Sequence, residues 1–258
     1  VMMENPKDEN ELITPALEGT KNVLKAASEA GVKRVVVTSS VAAILYGRDD
    51  EIDKEFSFNE EHWTDVNHKN TSAYAKSKTL AEKAAWEFIE KDSSGMELSV
   101  VNPAMVFGPV LEEDYGTSVG VILEMMSGNY PMVPNMDMGI VDVRDVADLQ
   151  LLAMTHPEAA GKRFVCSESN MMMKEQTDFL RDTFPEFQNK IPSREAPTWL
   201  LKLFAFLRPP LKMIAPELGK NRKLDSSRAR ELLGWKPRPA KEAIKAAADS
   251  LIKFDSLN

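Results

Sequence analysis

The chain has 258 residues, of which 43% are hydrophobic and 28% are charged, a composition typical of a globular protein with a full core. Its net charge of −8, with no basic stripe, argues against a nucleic-acid partner. The single cysteine, Cys166, excludes an internal disulfide framework and favours a reducing, cytoplasmic location. No apolar run approaches the roughly 18 residues of a membrane span, so we expect no membrane partner.

The predicted elements alternate between helix and strand from the start of the chain. Apolar residues at helical spacing predict a helix over residues 11–30, which a glycine ends. A β-branched run then predicts a buried strand over residues 33–38. After an acidic, asparagine-rich loop we expect a helix over residues 72–91 and a strand over residues 98–101, closed by an Asn-Pro pair.

The alternation continues as far as Cys166. We expect a helix near residues 118–127, a strand near 139–141, a helix over 143–154 and a strand over 161–166. Such an order is typical of an α/β fold, with a parallel sheet and crossover helices.

The carboxy-terminal part has a different pattern. It is mostly helical and punctuated by prolines from residue 174 onward. A three-methionine segment at residues 171–173 is interpreted as a loop. A short helix is expected to end at Gly234, and a last helix covers about residues 240–254.

A tyrosine and a lysine stand four residues apart in the first turns of the second helix. Residues at this spacing share a helix face, so the Tyr74 phenol and the Lys78 ammonium point at one place. A nearby cation lowers the pKa of a phenol from its usual value of about 10, which makes Tyr74 a candidate proton donor. Ser39 and Ser40 follow the end of the first strand. Because ligands of open α/β sheets bind beyond the carboxyl ends of the strands, these groups are expected to form one site.

These residues, in this order, resemble the extended short-chain dehydrogenase/reductases of the NAD-dependent epimerase/dehydratase family. The matching segments are Thr38-Ser39-Ser40, Tyr74-x-x-x-Lys78, Asn102-Pro103, Val106-Phe107-Gly108-Pro109, Asp142-Val143-Arg144-Asp145 and Leu232-Leu233-Gly234-Trp235. Within the family, the likeness is to the dihydroflavonol-reductase and aldehyde-reductase branch. It implies a Rossmann-like doubly wound parallel sheet in residues 1–165, which bind the dinucleotide. Residues 166–258 then form a smaller, mostly helical substrate region, with some interleaving of the two.

The resemblance also implies roles for individual residues. Tyr74 protonates a carbonyl oxygen as hydride reaches the carbon, and Ser40 hydrogen-bonds the same oxygen. Lys78 holds the ribose hydroxyls of the nicotinamide nucleotide. The cofactor contacts that it implies are Thr38, Ser39, Tyr74, Lys78, Pro103, Ala104, Met105 and Val106. We therefore expect an NAD(P)-dependent enzyme that reduces an aldehyde or ketone, with NADP favoured over NAD by the resemblance.

Other readings of the sequence stay open at this point. A sugar-nucleotide epimerase or dehydratase needs contacts to a diphosphate, for which Arg208, Arg222 and Lys223 are available. A non-catalytic nucleotide-sensing or scaffold relative usually lacks the tyrosine or the lysine, and both are kept here.

Leu45 stands where flavonoid reductases carry an asparagine, so a smaller or more apolar carbonyl substrate is expected. The resemblance makes a homodimer plausible, and the three histidines lack metal-ligand spacing, so no metal is expected.

One part of the family pattern is missing. No G-x-G-x-x-G turn occurs in the sequence, and residue 1 aligns just after the fourth strand of the family. We therefore expect a chain that lacks the first half of the dinucleotide-binding sheet and binds cofactor weakly by itself. We also expect it to expose a strand edge and apolar surface.

Overall fold

The computed structural model describes residues 6, 8–49, 56–113, 115–205 and 214–257. The helices among them are α1 (Asn10–Glu29), α2 (Ala73–Lys91), α3 (Thr117–Met126), α4 (Val143–Thr155), α5 (Met173–Thr183), α6 (Thr198–Phe204), α7 (Ser227–Leu233) and α8 (Ala240–Lys253). The strands are β1 (Arg34–Thr38), β2 (Ser57–Phe58), β3 (Glu97–Pro103), β4 (Met105–Phe107), β5 (Asp137–Asp142), β6 (Lys162–Cys166), β7 (Ser169–Met172) and β8 (Lys223–Leu224). The structure thus has the predicted α/β class.

The chain folds into two compact units, each made of three separate segments. The first unit contains Val1–Ala104, Val146–Cys166 and Leu224–Lys236. The second contains Met105–Asp145, Ser167–Lys223 and Pro237–Asn258. Some interleaving was expected, and it is extensive. The assignment of cofactor binding to residues 1–165 and of substrate binding to the rest stays a prediction, because compactness gives neither unit a function.

The first unit contains a three-stranded parallel sheet in the order β1-β3-β6. The central strand β3 is buried after its first residue, as a strand covered on both faces must be. It is longer than predicted, since Asn102 and Pro103 are its last two residues rather than the loop that follows. Pro103 is tolerated there because it is the last residue of the strand.

Helices α1 and α2 cover one side of this sheet. Their apolar faces meet strands β1 and β3 in a cluster that includes Leu24, Ala85, Met96, Leu98 and Val100. Ser72 caps α2, because its side chain accepts a hydrogen bond from the Ala75 N–H at 3.2 Å. The predicted start of this helix is therefore confirmed, and it fixes where Tyr74 stands.

Strand β1 lies at the edge of its sheet within the described ranges, and its three valines are only half-buried. On α4, Leu151 is 59% exposed and Met154 is 52% exposed. The expectation of an exposed strand edge and apolar surface is thus confirmed for these elements. No helix in the described part of the chain is long and apolar enough to cross a membrane.

The second unit has a mixed sheet in the order β4-β5-β7, in which β4 and β5 are parallel and β5 and β7 are antiparallel. Helices α3, α5 and α8 pack on it around a core that includes Phe107, Ile122, Ile140, Leu180 and Ile244. The loop predicted for the three methionines is wrong. Two of them end β7 and the third begins α5, a change of structure that three identical side chains cannot signal.

The predicted end of α7 and the predicted start of α4 are confirmed by their capping geometry. Gly234 follows α7 with φ of 67°, a left-handed conformation that favours glycine. At the start of α4, the Asp142 carboxylate accepts a hydrogen bond from the Arg144 N–H at 2.9 Å.

Gly47 lies in the segment that joins Ser40 to α2, and its backbone φ is 78°. A Cβ added there would lie 2.8 Å from the Asp65 Cβ and 2.9 Å from the Asp65 carbonyl oxygen. We expect Gly47→Ala to lower the free energy of unfolding by about 1–3 kcal/mol, through backbone strain and this close contact. Urea denaturation measures the change.

Gly19 provides the matched control, because it is exposed within α1 and an added Cβ meets nothing within 4 Å. Gly19→Ala should stabilise the protein by roughly 0.5–1 kcal/mol through helix propensity. Equal effects of the two substitutions would contradict a special role for the Gly47 turn.

Candidate active site

Helix α2 presents Tyr74 and Lys78 on one face, as their spacing predicted. The Lys78 ammonium nitrogen lies 5.9 Å from the centroid of the Tyr74 ring. Both side chains are half-buried. Helix α2 and the 3₁₀ turn that follows Ser40 belong to the same compact unit and pack on each other. The tyrosine, the lysine and the serine are therefore brought together.

Ser40 begins a 3₁₀ turn over Val41–Ala43, with an extended backbone at φ −162° and ψ 154°. Its Oγ accepts a hydrogen bond from the Ala42 N–H at 3.1 Å. Its side chain also acts on the Tyr74 phenol, whose ionised form it favours. Because a hydroxyl has one proton and two lone pairs, Ser40 can serve as acceptor to the backbone and still donate its proton.

The Tyr74 pKa is raised above its ordinary value, and the prediction that Lys78 lowers it is wrong for the protein alone. Burial disfavours the charged phenolate, and the interaction with the Ser40 side chain offsets this only in part. Tyr74 is therefore a neutral phenol at physiological pH. This is the protonation state that a proton donor needs.

Lys78 is a half-buried ammonium that makes no hydrogen bond or ion pair among the described residues. Burial lowers its pKa. On the same helix, by contrast, Lys76 reaches the Glu9 carboxylate at 2.8 Å. A cation that is desolvated without an acceptor costs free energy, so Lys78 is prepared for oxygen atoms that a ligand would bring.

The predicted cofactor contacts before α2 are already engaged with protein groups. Thr38 Oγ1 accepts a hydrogen bond from the Gln150 side chain at 2.7 Å. The Ser39 hydroxyl points inward and donates to the Glu82 carboxylate at 2.5 Å. Ser39 therefore has only its backbone to offer a ligand, and its role as a cofactor contact stays a prediction.

The other predicted cofactor contacts leave the end of β3. Pro103 is the last residue of that strand, and the Ala104 N–H donates to the Cys166 carbonyl at 3.0 Å. Met105 and Val106 are partly buried in β4 of the second unit. Their part in cofactor binding stays a prediction.

Sequence reasoning missed the buried polar network around Ser40. Glu82 and Arg163 form an ion pair between Oε1 and Nε at 2.5 Å, and Asn102 donates to Glu82 at 2.8 Å. The spacing held a signal, because Glu82 stands four residues after Lys78 and eight after Tyr74, on the same helix face.

The structure also shows where several other residues named in the sequence analysis lie. Leu45 is buried in an apolar cluster with Ile44, Phe58 and Val165, so it packs in the core and says little about the substrate. Cys166 is fully buried in β6, as expected of a small apolar residue. Among the described residues, no group of three or more histidine, cysteine or carboxylate side chains could hold a metal ion. Arg208 lies outside the described residues.

Comparison with known proteins identifies the family. Residues 2–167 match the NAD dependent epimerase/dehydratase family. The chain is 34% identical to the NADPH-dependent methylglyoxal reductase of Saccharomyces cerevisiae over 263 residues, which cover 96% of this chain and 72% of that protein. The chain belongs to the NAD dependent epimerase/dehydratase family.

Two further comparisons agree with that assignment. Cinnamoyl-CoA reductase 1 of Petunia hybrida is 40% identical over 182 residues, which cover 70% of this chain and 53% of the plant protein. The crystal structure of yeast methylglyoxal/isovaleraldehyde reductase complexed with NADPH superimposes with a TM-score of 0.80 and 32% identity. It covers 98% of this chain and 75% of the yeast chain. The Rossmann-like fold inferred from the sequence is therefore confirmed.

The side chains at this site fit the ribose of a nicotinamide nucleotide. The Lys78 ammonium, which has no acceptor in the part of the chain that the structure describes, provides donors for ribose hydroxyls. The Ser40 and Tyr74 hydroxyls provide donors for a carbonyl oxygen.

The unpaired cation generates a prediction about stability. Between the lowered pKa of Lys78 in the folded protein and its ordinary value of 10.5, the unfolded chain binds more protons than the folded protein. Stability contributed by this site therefore rises with pH across that window. We expect Lys78→Met to raise the thermal unfolding midpoint at pH 7, and to raise it less as the pH approaches 10.5.

Lys76→Met is the control on the same helix. It breaks the ion pair with Glu9 and should leave the midpoint unchanged or lower it. If Lys78→Met behaves like this control in calorimetry at each pH, Lys78 does not carry an unpaired buried charge.

Proposed function

We propose that this protein reduces the carbonyl group of a small aldehyde or ketone to an alcohol, with NADPH as the hydride donor. The observation that carries the proposal is that the Tyr74 phenol interacts with Ser40 and that its ring centroid lies 5.9 Å from an ammonium with no acceptor among the described residues. The yeast and plant relatives are named as reductases, and the yeast protein is named as NADPH-dependent, which supports this reaction class and cofactor.

The reaction needs a hydride at the carbonyl carbon and a proton at the carbonyl oxygen. A bound nicotinamide supplies the hydride. Ser40 donates its hydroxyl proton as a hydrogen bond to the carbonyl oxygen and holds it in place. Tyr74, kept neutral by burial, transfers its phenolic proton to that oxygen as negative charge develops.

Lys78 completes this arrangement in two ways. Its ammonium would hold the ribose hydroxyls of the nucleotide, which gives the desolvated cation the acceptors that it lacks. With a nucleotide bound, its positive charge, 5.9 Å from the Tyr74 ring centroid, would act on the phenolate that remains after proton transfer, an effect that the protein alone does not show. The same residue thus couples cofactor binding to the acidity of Tyr74.

The substrate is proposed by class. The yeast relative is named for methylglyoxal and isovaleraldehyde, so short aldehydes are the first compounds to test. An epimerase or dehydratase is not favoured, because the relatives that match most of this chain are named as reductases. The cytoplasmic location and the homodimer stay predictions.

We expect Tyr74→Phe to lower kcat for aldehyde reduction by about 10²–10⁴-fold, because the general acid is lost while the ring and its packing remain. The affinity for NADPH should change little. Loss of NADPH absorbance measures kcat, and quenching of protein fluorescence measures the binding.

Tyr130→Phe serves as the matched control, since Tyr130 is half exposed and lies in the second unit. It should retain full activity. Retained activity in Tyr74→Phe would exclude the proposed proton donor, and loss of NADPH binding would point to misfolding or to a binding role instead.

A further inference from the structure

A buried carboxylate shares the face of α2 that carries Tyr74 and Lys78. Glu82 stands one turn beyond Lys78, and only 1% of its surface is exposed. Carboxylates are almost never buried this completely unless they are paired. The groups that Glu82 binds therefore indicate what it does.

Glu82 receives hydrogen bonds from all three parts of the parallel sheet. Oε2 accepts from the Ser39 hydroxyl at 2.5 Å, just past the end of β1, and from Asn102 Nδ2 at 2.8 Å in β3. Oε1 accepts from Arg163 Nε at 2.5 Å in β6. One side chain of α2 is thus bonded to β3, to β6 and to the residue that follows β1.

Asn102 connects this carboxylate to the catalytic serine. Its Nδ2 also donates to the Ser40 carbonyl oxygen at 3.1 Å. Because a carboxylate and a carbonyl can only accept, the orientation of the Asn102 amide is determined by its two partners. The same carbonyl oxygen of Ser40 accepts the Ala43 N–H at 3.0 Å. Ser40 is therefore held from two sides.

We propose that Asn102 and Glu82 are positioning residues that hold Ser40 in place relative to Tyr74; this rests on the proposed reductase function. Tyr74 and Glu82 belong to α2. Ser40 follows β1, and Asn102 lies in β3 of the sheet on which α2 packs. The bonds from Asn102 to Glu82 and to Ser40 thus set the separation of the two hydroxyls that act on the carbonyl oxygen. A misplacement of about 1 Å at a reacting centre can cost about 10²-fold in rate.

A purely structural role makes a different prediction. If the network only stabilises the core, its loss lowers stability and leaves the geometry of Ser40 unchanged. Ser99 provides the control for this role. It is fully buried on the same strand and donates to the Ala159 carbonyl at 2.7 Å, without contact to Ser40.

The first test compares Asn102→Ala with Ser99→Ala in the full-length protein. We expect Asn102→Ala to lower kcat for methylglyoxal reduction by about tenfold or more, with KM and NADPH affinity changed by less than about twofold. Ser99→Ala should keep kcat while losing a similar amount of stability. Equal kcat in the two variants would overturn the proposal.

A double variant tests whether Asn102 acts through Ser40. In a Ser40→Ala background, Asn102→Ala should cause no further loss of kcat, because the hydroxyl that it positions is already gone. Independent, multiplied losses would overturn the proposal. If Asn102→Ala does not fold, Asn102→Leu, which has a similar shape and lacks the amide, replaces it in the same cycle with the same expected result.

A third measurement needs neither cofactor nor activity. The Ala42 N–H is bonded to Ser40 Oγ, so its hydrogen exchange reports the placement of that hydroxyl. Exchange should become about tenfold faster in Asn102→Ala and stay unchanged in Ser99→Ala. Unchanged exchange in both overturns the proposal. If the unmodified protein reduces no aldehyde, the proposed function fails, and this measurement still decides whether Asn102 places Ser40.

Discussion

The first unit depends on a buried ion pair between α2 and its parallel sheet. Burying Glu82 and Arg163 removes both from water, a cost that their attraction repays only when the remaining polar atoms are also bonded. The structure meets much of this requirement. Arg163 donates to the carbonyl oxygens of Glu60 and His62 at 2.9 and 3.0 Å, and its guanidinium lies 3.7 Å from the centroid of the Trp63 ring. The pair therefore joins the helix, the sheet and the segment that precedes the helix.

The electrostatics of the site follow from burial. Desolvation raises the Tyr74 pKa and lowers that of Lys78, so each residue is displaced toward its neutral form. Neither change comes from an opposite charge on the residues that the structure describes. A site of this kind gains most from a ligand that brings hydroxyl oxygens to the ammonium and a carbonyl oxygen to the phenol, because those contacts replace the hydration that folding removed.

Local patterns in the sequence were sufficient to predict much of the fold and the placement of the reactive groups. The start of α2, the glycine at Gly234 and the spacing of Tyr74 and Lys78 are signals carried within a few residues, and each is confirmed. The sign of the Tyr74 pKa change was missed, because burial depends on residues distant in sequence. The inward turn of the Ser39 hydroxyl was missed for the same reason, since its partner Glu82 is 43 residues away.

The interleaved chain has a consequence for folding. Strands β3 and β6 pair directly, yet the chain between them runs through α3 and β5 of the second unit before it returns. Their pairing therefore requires the closure of a loop of about 60 residues, whose entropic cost is met before any contact forms. Arg163 lies on β6, so the carboxylate on α2 gains this counter-charge only when that loop closes. The buried ion pair behind the site therefore depends on a long-range contact, whereas Tyr74 and Lys78 are placed by local helix formation.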